Sequence, residues 1–302
     1  MSDFRFVTIG SRPTLSPEEL MSLVNPTGAQ DYFVDLNRSV AGDGLTWDTA
    51  FKTLADAIAA SNASIGLAAN RWWARRNRIF VQGDILTEDL TVLPEKTDII
   101  GVGTDLRPFP RVFGNHVIVL NKVGVRFINM GFNAVTTGDL FSIPASSHGL
   151  QFINCYFQPN STCTKALEIT DCAHVRIEGC RFDFGAGDKT KVFGECIAIE
   201  GTVMHDIVIK GNQICGTLGI VIANGTGNGG MIVDNYLRCI GIPITDASDD
   251  FAVINNRWIT DVDCATYTAG FDLNLLLACG NLQTGSNAGN CNMVPPLALT
   301  DA

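Results

Sequence analysis

The stretch Leu150-Gln151-Phe152-Ile153-Asn154-Cys155-Tyr156-Phe157 decides how this chain is read, because its pattern returns along the sequence. The pattern is apolar, any residue, Asn/Gly/Asp, then Met/Cys/Asn, any residue, apolar. It occurs at residues 127–132, 152–157, 177–182, 209–214, 232–237 and 253–258. Successive copies start 25, 25, 32, 23 and 21 residues apart. Units of this size with variable loops must stack, since none buries its own apolar face alone.

A second element lies about halfway between copies: Phe141-Ser142-Ile143, Leu167-Glu168-Ile169, Ile197-Ala198-Ile199, Ile220-Val221-Ile222 and Ile242-Pro243-Ile244. Alternation of this kind is strand periodicity, not helix periodicity. Leucine-rich repeats are the rival, but there is no fixed Leu pattern and no room for a helix in each unit. The fold expected is all-β, a right-handed parallel β-helix with an N-terminal capping helix.

Composition agrees. Hydrophobic residues make up 46% of the 302 and charged residues 17%, with 30 Gly, which suits buried strands joined by tight turns. A net charge of -10 argues against a nucleic-acid partner, since phosphate contacts need Lys and Arg. No stretch approaches the about 20 apolar residues of a membrane span. Residues 1–6 lack a basic region followed by an apolar run, so no secretory signal is expected. Of the 10 cysteines, Cys155 and Cys180 hold one repeat position where Met130 stands a unit earlier. They read as reduced core thiols. A bridge among Cys264, Cys279 and Cys291 is the alternative. No zinc spacing is present, and neither a metal nor another cofactor is expected.

Four segments follow: an arm at 1–30, an opening strand and capping helix at 31–61, coils at 62–260, and a last coil with a tail at 261–302. In the arm, Ser16-Pro17-Glu18-Glu19-Leu20-Met21 reads as a helix start. Within 31–61, Tyr32-Phe33-Val34-Asp35 reads as a strand and Gly42-Asp43-Gly44 as a turn. The stretch from Trp47 to Ile58 reads as an amphipathic helix with Phe51, Leu54, Ala55 and Ile58 on one stripe. Such a helix would plug the open end of the first coil. In the tail, Leu273 to Ala278 reads as a final coil.

The sequence from Tyr32 through Ile58 resembles the opening segment of the pectate-lyase-like β-helix superfamily, which includes bacteriophage tailspikes and related virion appendages. The resemblance spans roughly residues 31–260. It implies the fold. It leaves the chemistry open, because that superfamily holds lyases, hydrolases and non-enzymatic structural proteins.

If Phe127, Phe152 and their equivalents point inward, the residues before them point outward: Arg126, Gln151, Arg176, Val208, Met231 and Ala252. The second element adds Ser142, Glu168, Ala198, Val221 and Pro243. Both ladders begin polar and end apolar, and an outward apolar patch marks a partner surface. The expected partner is the chain itself, as a homotrimer, since the spikes that this chain resembles are generally parallel trimers. Loops of the same chain covering these strands are the alternative. Asn212, Asn235 and Asn256, with Asn129 and Asn154 one residue earlier in their copies, are expected to form an asparagine ladder at a turn.

Glu168, Glu178 and Asp183 are the catalytic candidates, since glycoside cleavage needs paired carboxylates; solvated surface charge is the plainer reading. Arg126, Gln151 and Arg176 are the glycan-binding candidates. His148, His174 and His205 precede successive repeats and read as turn residues rather than metal ligands. Arg71, Arg75, Arg76 and Arg78 flank Trp72 and Trp73, either as a sugar or anion site or as a solvated lip. The function expected is a non-enzymatic virion protein, assembled in a host cytoplasm and attached to other virion proteins through its N-terminal arm. It would stand as a trimeric appendage on a phage head or tail and contact host-surface polysaccharide. The alternatives are a polysaccharide depolymerase (hydrolase or lyase) and a glycan-binding adhesin.

Overall fold

The computed structural model describes residues 7–9, 12–14, 29–67, 75–103, 110–184, 190–202, 204–223, 229–241, 243–246, 251–260 and 282–285. They form three parallel sheets of nine, nine and six strands, plus an antiparallel pair, Val7–Ile9 with Arg12–Thr14. One repeat shows the path. Arg126–Ile128 lies in the first sheet, Gly131–Ala134 in the second and Phe141–Ile143 in the third. The chain then returns to the first sheet as Gln151–Ile153, beside Arg126–Ile128. These stacked coils are consistent with a parallel β-helix. Phe127, Phe152, Ile177, Ile209, Ile232 and Val253 face one another in register, so the spacing of the sequence motif is the spacing of the coils.

The motif's third position makes the turn between the first and second sheets. Asn129, Asn154, Gly179, Gly211, Asp234 and Asn255 all have φ between 52° and 65°. That is the left-handed region, which Gly, Asn and Asp enter most readily. The next residue then points into the coil. Asn212, Asn235 and Asn256 stand there, nearly inaccessible to solvent, with their amides joined coil to coil. Asn235 Oδ1 accepts from the Asn212 backbone N–H (3.0 Å) and from Asn212 Nδ2 (2.9 Å), while Asn235 Nδ2 donates to Ile209 O (2.9 Å) and Asn256 Oδ1 (2.9 Å). Cys180 and Cys155 continue the column with thiols. Cys180 Sγ accepts from Cys155 N–H (3.4 Å) and donates to Phe152 O (3.3 Å). Asn129 and Asn154 are therefore not ladder members; they are the left-handed residues beside it.

The apolar filling stacks the same way. The Phe127 and Phe152 rings lie 5.1 Å apart and 9° from parallel, and Phe157 and Phe182 lie 4.6 Å apart. At the first level of the third sheet the inner position is His116, completely buried against Phe132 and Phe141. Its Nδ1 accepts from Leu90 N–H (3.1 Å), and burial pushes its pKa down to about 3.

The helix differs from its expected span. Trp47–Thr49 is a short 3-10 turn, and the α-helix α1 is Leu54–Gly66. The reason is Thr53, whose side chain accepts from Asp56 N–H and caps the helix. Glu88 adds a second cap from another coil, accepting from Leu54 N–H (3.1 Å) and Ala55 N–H (2.9 Å). Burial raises the Glu88 pKa despite those bonds. Leu54, Ala57, Ile58 and Ile65 face the core while Ala55 is exposed, so the stripe is rotated from the expected one. A buried set of Ser61, Asn77 and Thr97 ties α1 to the first coils, with Ser61 Oγ 2.7 Å from Thr97 Oγ1 and Asn77 Nδ2 donating to Ser61 Oγ (3.0 Å).

The expected helix start at Ser16–Met21 and the coil at Leu273–Ala278 lie outside the described residues. Beyond the coil at 253, the strand Leu282–Gly285 pairs with Arg257–Thr260.

Replacing Asn235 with Ala takes from Asn212 N–H and Ile209 O their buried bonds to this amide, while Asn256 Oδ1 keeps the backbone N–H of residue 235. The expected loss is about 2–4 kcal/mol, read as a lower urea midpoint. Asp234→Gly, which keeps the left-handed turn, is expected to change the midpoint little.

Candidate functional site

The third sheet carries a dense polar group on its outer face. Its two longest strands, Cys163–Thr170 and Phe193–Glu200, pair Lys165 with Glu195, Glu168 with Ala198 and Thr170 with Glu200. Lys165 Nζ donates to Glu168 Oε1 (2.6 Å) and to Glu200 Oε1. Ser142 Oγ, one coil earlier, donates to Glu168 Oε2 (2.7 Å). Asp139 adds a carboxyl whose Oδ1 is buried without a hydrogen-bond partner.

These groups are driven apart in acidity. Burial raises Asp139, and the negative charge of Glu168 adds to it. Burial also raises Glu195, against the pull of Lys165. For Glu168 burial acts in the same upward sense, but the bonds from Lys165 and Ser142 outweigh it and hold its pKa low. Burial would lower Lys165, yet Glu168 and Glu200 raise it. One face therefore holds a carboxyl with a lowered pKa beside two with raised ones, a separation that acid–base chemistry can use.

The three sequence candidates do not converge. Glu168 is on the third sheet, Glu178 on the first and Asp183 beside the second. Glu178 faces Arg176 at 3.7 Å and pairs in register with Lys210. Asp183 accepts from Arg181 Nη2 (2.7 Å) and sits 3.4 Å from the Tyr156 hydroxyl. Lys165, Glu195, Glu200 and Asp139 were missed because only three residues of each third-sheet strand were read. The signal was present in Cys163–Thr170 and Phe193–Glu200 as charged residues flanking the apolar alternation.

The outward ladder of the first sheet is in the expected register, Arg126–Gln151–Arg176–Val208–Met231–Ala252. It also extends backward through Asp98, Arg78 and Asp31. Arg126 is committed there: its Nε and Nη2 donate to the two oxygens of Asp98, which also accepts from Arg76 Nε (2.7 Å). Arg78 is held in two bonds by Asp31, and Arg75 donates to Ser64 O. Arg75, Arg76 and Arg78 are thus structural, while Arg71, Trp72 and Trp73 lie outside the described residues. Met231 is 43% exposed.

Two members of the other ladder are corrected. Val221 pairs with Thr245, not Pro243, because the strand Ile244–Asp246 starts one residue after the proline. Pro243 is buried, and its carbonyl accepts from Ile220 N–H (2.9 Å). Ala198 lies in the outward row but is completely buried, so it offers no free surface.

His148, His174 and His205 are turn residues. His174 has φ 57°, its N–H bonds to His205 O, and His148 Nδ1 accepts from Ala173 N–H. Among the described residues no group of His, Cys, Asp or Glu is suited to hold a metal ion, and no helix is long and apolar enough to cross a membrane. Seven described cysteines are free and buried. Burial pushes Cys172 and Cys215 up to about 11 and Cys239 to about 12, so they stay protonated near neutrality. Cys264, Cys279 and Cys291 lie outside the described residues.

Compared with family models, with curated proteins and with solved structures, the chain has no significant match in any of the three.

Lys165→Met removes the one cation bonded to Glu168 and Glu200. Glu168's share of stability is present at neutral pH and is lost as pH falls through its lowered pKa; Lys165's share is lost only above its raised one. The variant is therefore expected to lose about 1–3 kcal/mol near pH 7. The deficit should shrink below about pH 5 as the carboxylates take up protons, which urea midpoints across pH would show.

Proposed function

We propose that this chain is a structural virion protein, a β-helical appendage of a bacteriophage that works as a parallel homotrimer. In this reading the fold is right-handed and of the pectate-lyase-like type, and the N-terminal arm joins the appendage to other virion proteins. The observation that carries the self-association is the outer ladder of the first sheet. It is charged and internally paired in the early coils, then becomes Val208, Met231 and Ala252 in the late ones. Apolar side chains stacked on an outer face favour burial against a partner, and a closed symmetric assembly of like chains is the common way to supply one. Sedimentation of the purified chain is expected to give three times the chain mass of 32.5 kDa. A single-chain mass at micromolar concentration would remove the trimer from this reading.

The Asp139–Lys165–Glu168–Glu195–Glu200 face favours a second reading, a depolymerase acting on host-surface polysaccharide. There Glu168 would serve as the ionised carboxylate and Glu195 or Asp139 as the proton donor. Release of new reducing ends or unsaturated products from bacterial polysaccharide, lost in Glu168→Gln and Glu195→Gln but kept in Glu178→Gln, is the result this reading predicts. Glycan binding with no product would leave an adhesin.

A further inference from the structure

Each first-sheet strand presents at least two outward positions, and the second of them forms a row of its own. Phe33, Phe80, Ile100, Ile128 and Ile153 follow one another in register through the first five levels, every one half-buried. Glu178 and Lys210 come next, and Val233 and Ile254 complete the nine levels. At the first level the Trp47 ring meets Phe33 edge-on at 4.8 Å, and at the second the Arg78 guanidinium lies over the Phe80 ring. The row runs beside the Asp31–Arg78–Asp98–Arg126 column and continues into the patch of Val208, Met231 and Ala252. One sheet thus carries an outward apolar residue at every level except that of Arg176 and Glu178.

We propose that the outer face of the first sheet is the contact between copies of this chain, packed with stacking axes parallel so that each level meets its own counterpart. The inference rests on the self-association proposed above and assigns it a surface.

Three features choose a second copy over other occupants. Size is the first. Nine levels at about 4.8 Å and strands about 15 Å long make a face of some 600 Å², close to the ~800 Å² that each partner of a stable complex contributes. Charge is the second. The acids and bases of the neighbouring column are already paired within the chain, Arg78 with Asp31 and Arg76 and Arg126 with Asp98, so covering them strands no unpaired ion.

Register is the third. With parallel axes, Glu178 of one copy lies level with Glu178 of the next and one level from its Lys210, so charged levels meet charged levels with opposite charges adjacent, and the apolar levels meet apolar levels. With antiparallel axes in full overlap, Glu178 would face Ile128 and Lys210 would face Ile100, so two apolar levels of each copy would lie against a charge that has to shed water. A shifted antiparallel register pairs those charges only by leaving Phe33, Phe80 and Ile100 outside the contact.

The test uses the full chain. Ile128→Lys with Ile153→Lys is expected to convert the multimer to single chains in sedimentation while the melt stays cooperative. Separately, a short bismaleimide is expected to join the thiols introduced by Ile128→Cys into covalent dimers, with the unsubstituted chain as control. This second measurement holds even if the lysine variant fails to fold. A multimer that keeps its mass in the lysine variant, or whose introduced thiols are not joined, overturns this surface and leaves self-association standing. A wild-type chain that sediments singly overturns both. In that case an introduced thiol shielded from labelling would mean the chain's own segments cover the row.

Discussion

The turn between the first and second sheets is the constraint on which the rest depends. In six coils a residue in the left-handed region turns the chain, and in five of them its successor, a thiol or an amide, reaches inward to bond neighbouring coils. A residue pointing inward there cannot reach water, so its polar atoms must be met by neighbouring coils. An amide does this completely, donating and accepting along the stack. A thiol does it more weakly, and Cys155 and Cys180, free and buried, hold the same place. Because side chains alternate across a strand, pinning this one position also fixes which residues of every strand face inward.

Once the inner face is fixed, the outer face is free to vary from coil to coil. The early levels of the first sheet carry ion pairs, the middle holds Glu178 and Lys210, and the late levels are apolar. The third sheet gathers acids around Lys165. The same stacking is kept beneath all of these outer faces. The proposed assembly and the second, enzymatic reading thus occupy different sheets of one framework and are separable by substitution.

Much of this was readable from residue order. The motif spacing equals the strand register from Phe127 to Val253, because a stacked coil must repeat its inward residues. Other features were less accessible. The span of α1 was misplaced because Thr53 and Glu88, 34 residues from Leu54, cap it together. Pro243 was set in the outward row because Ile242-Pro243-Ile244 mimics the apolar alternation of its neighbours, although the strand begins only at Ile244. The acids around Lys165 came from three levels of the stack, and a reading limited to each motif's central residues did not bring them together. The row from Phe33 to Ile254 escaped for a related reason, since one outward residue per strand was followed where each strand presents at least two.

Electron microscopy of the purified chain at a resolution that separates sheets tests the central claim most directly. The account predicts a three-fold bundle of rods with parallel axes, the first sheet of each rod turned toward its neighbours and the Lys165 face turned to solvent. Single rods, or a bundle whose first sheets face outward, would contradict it.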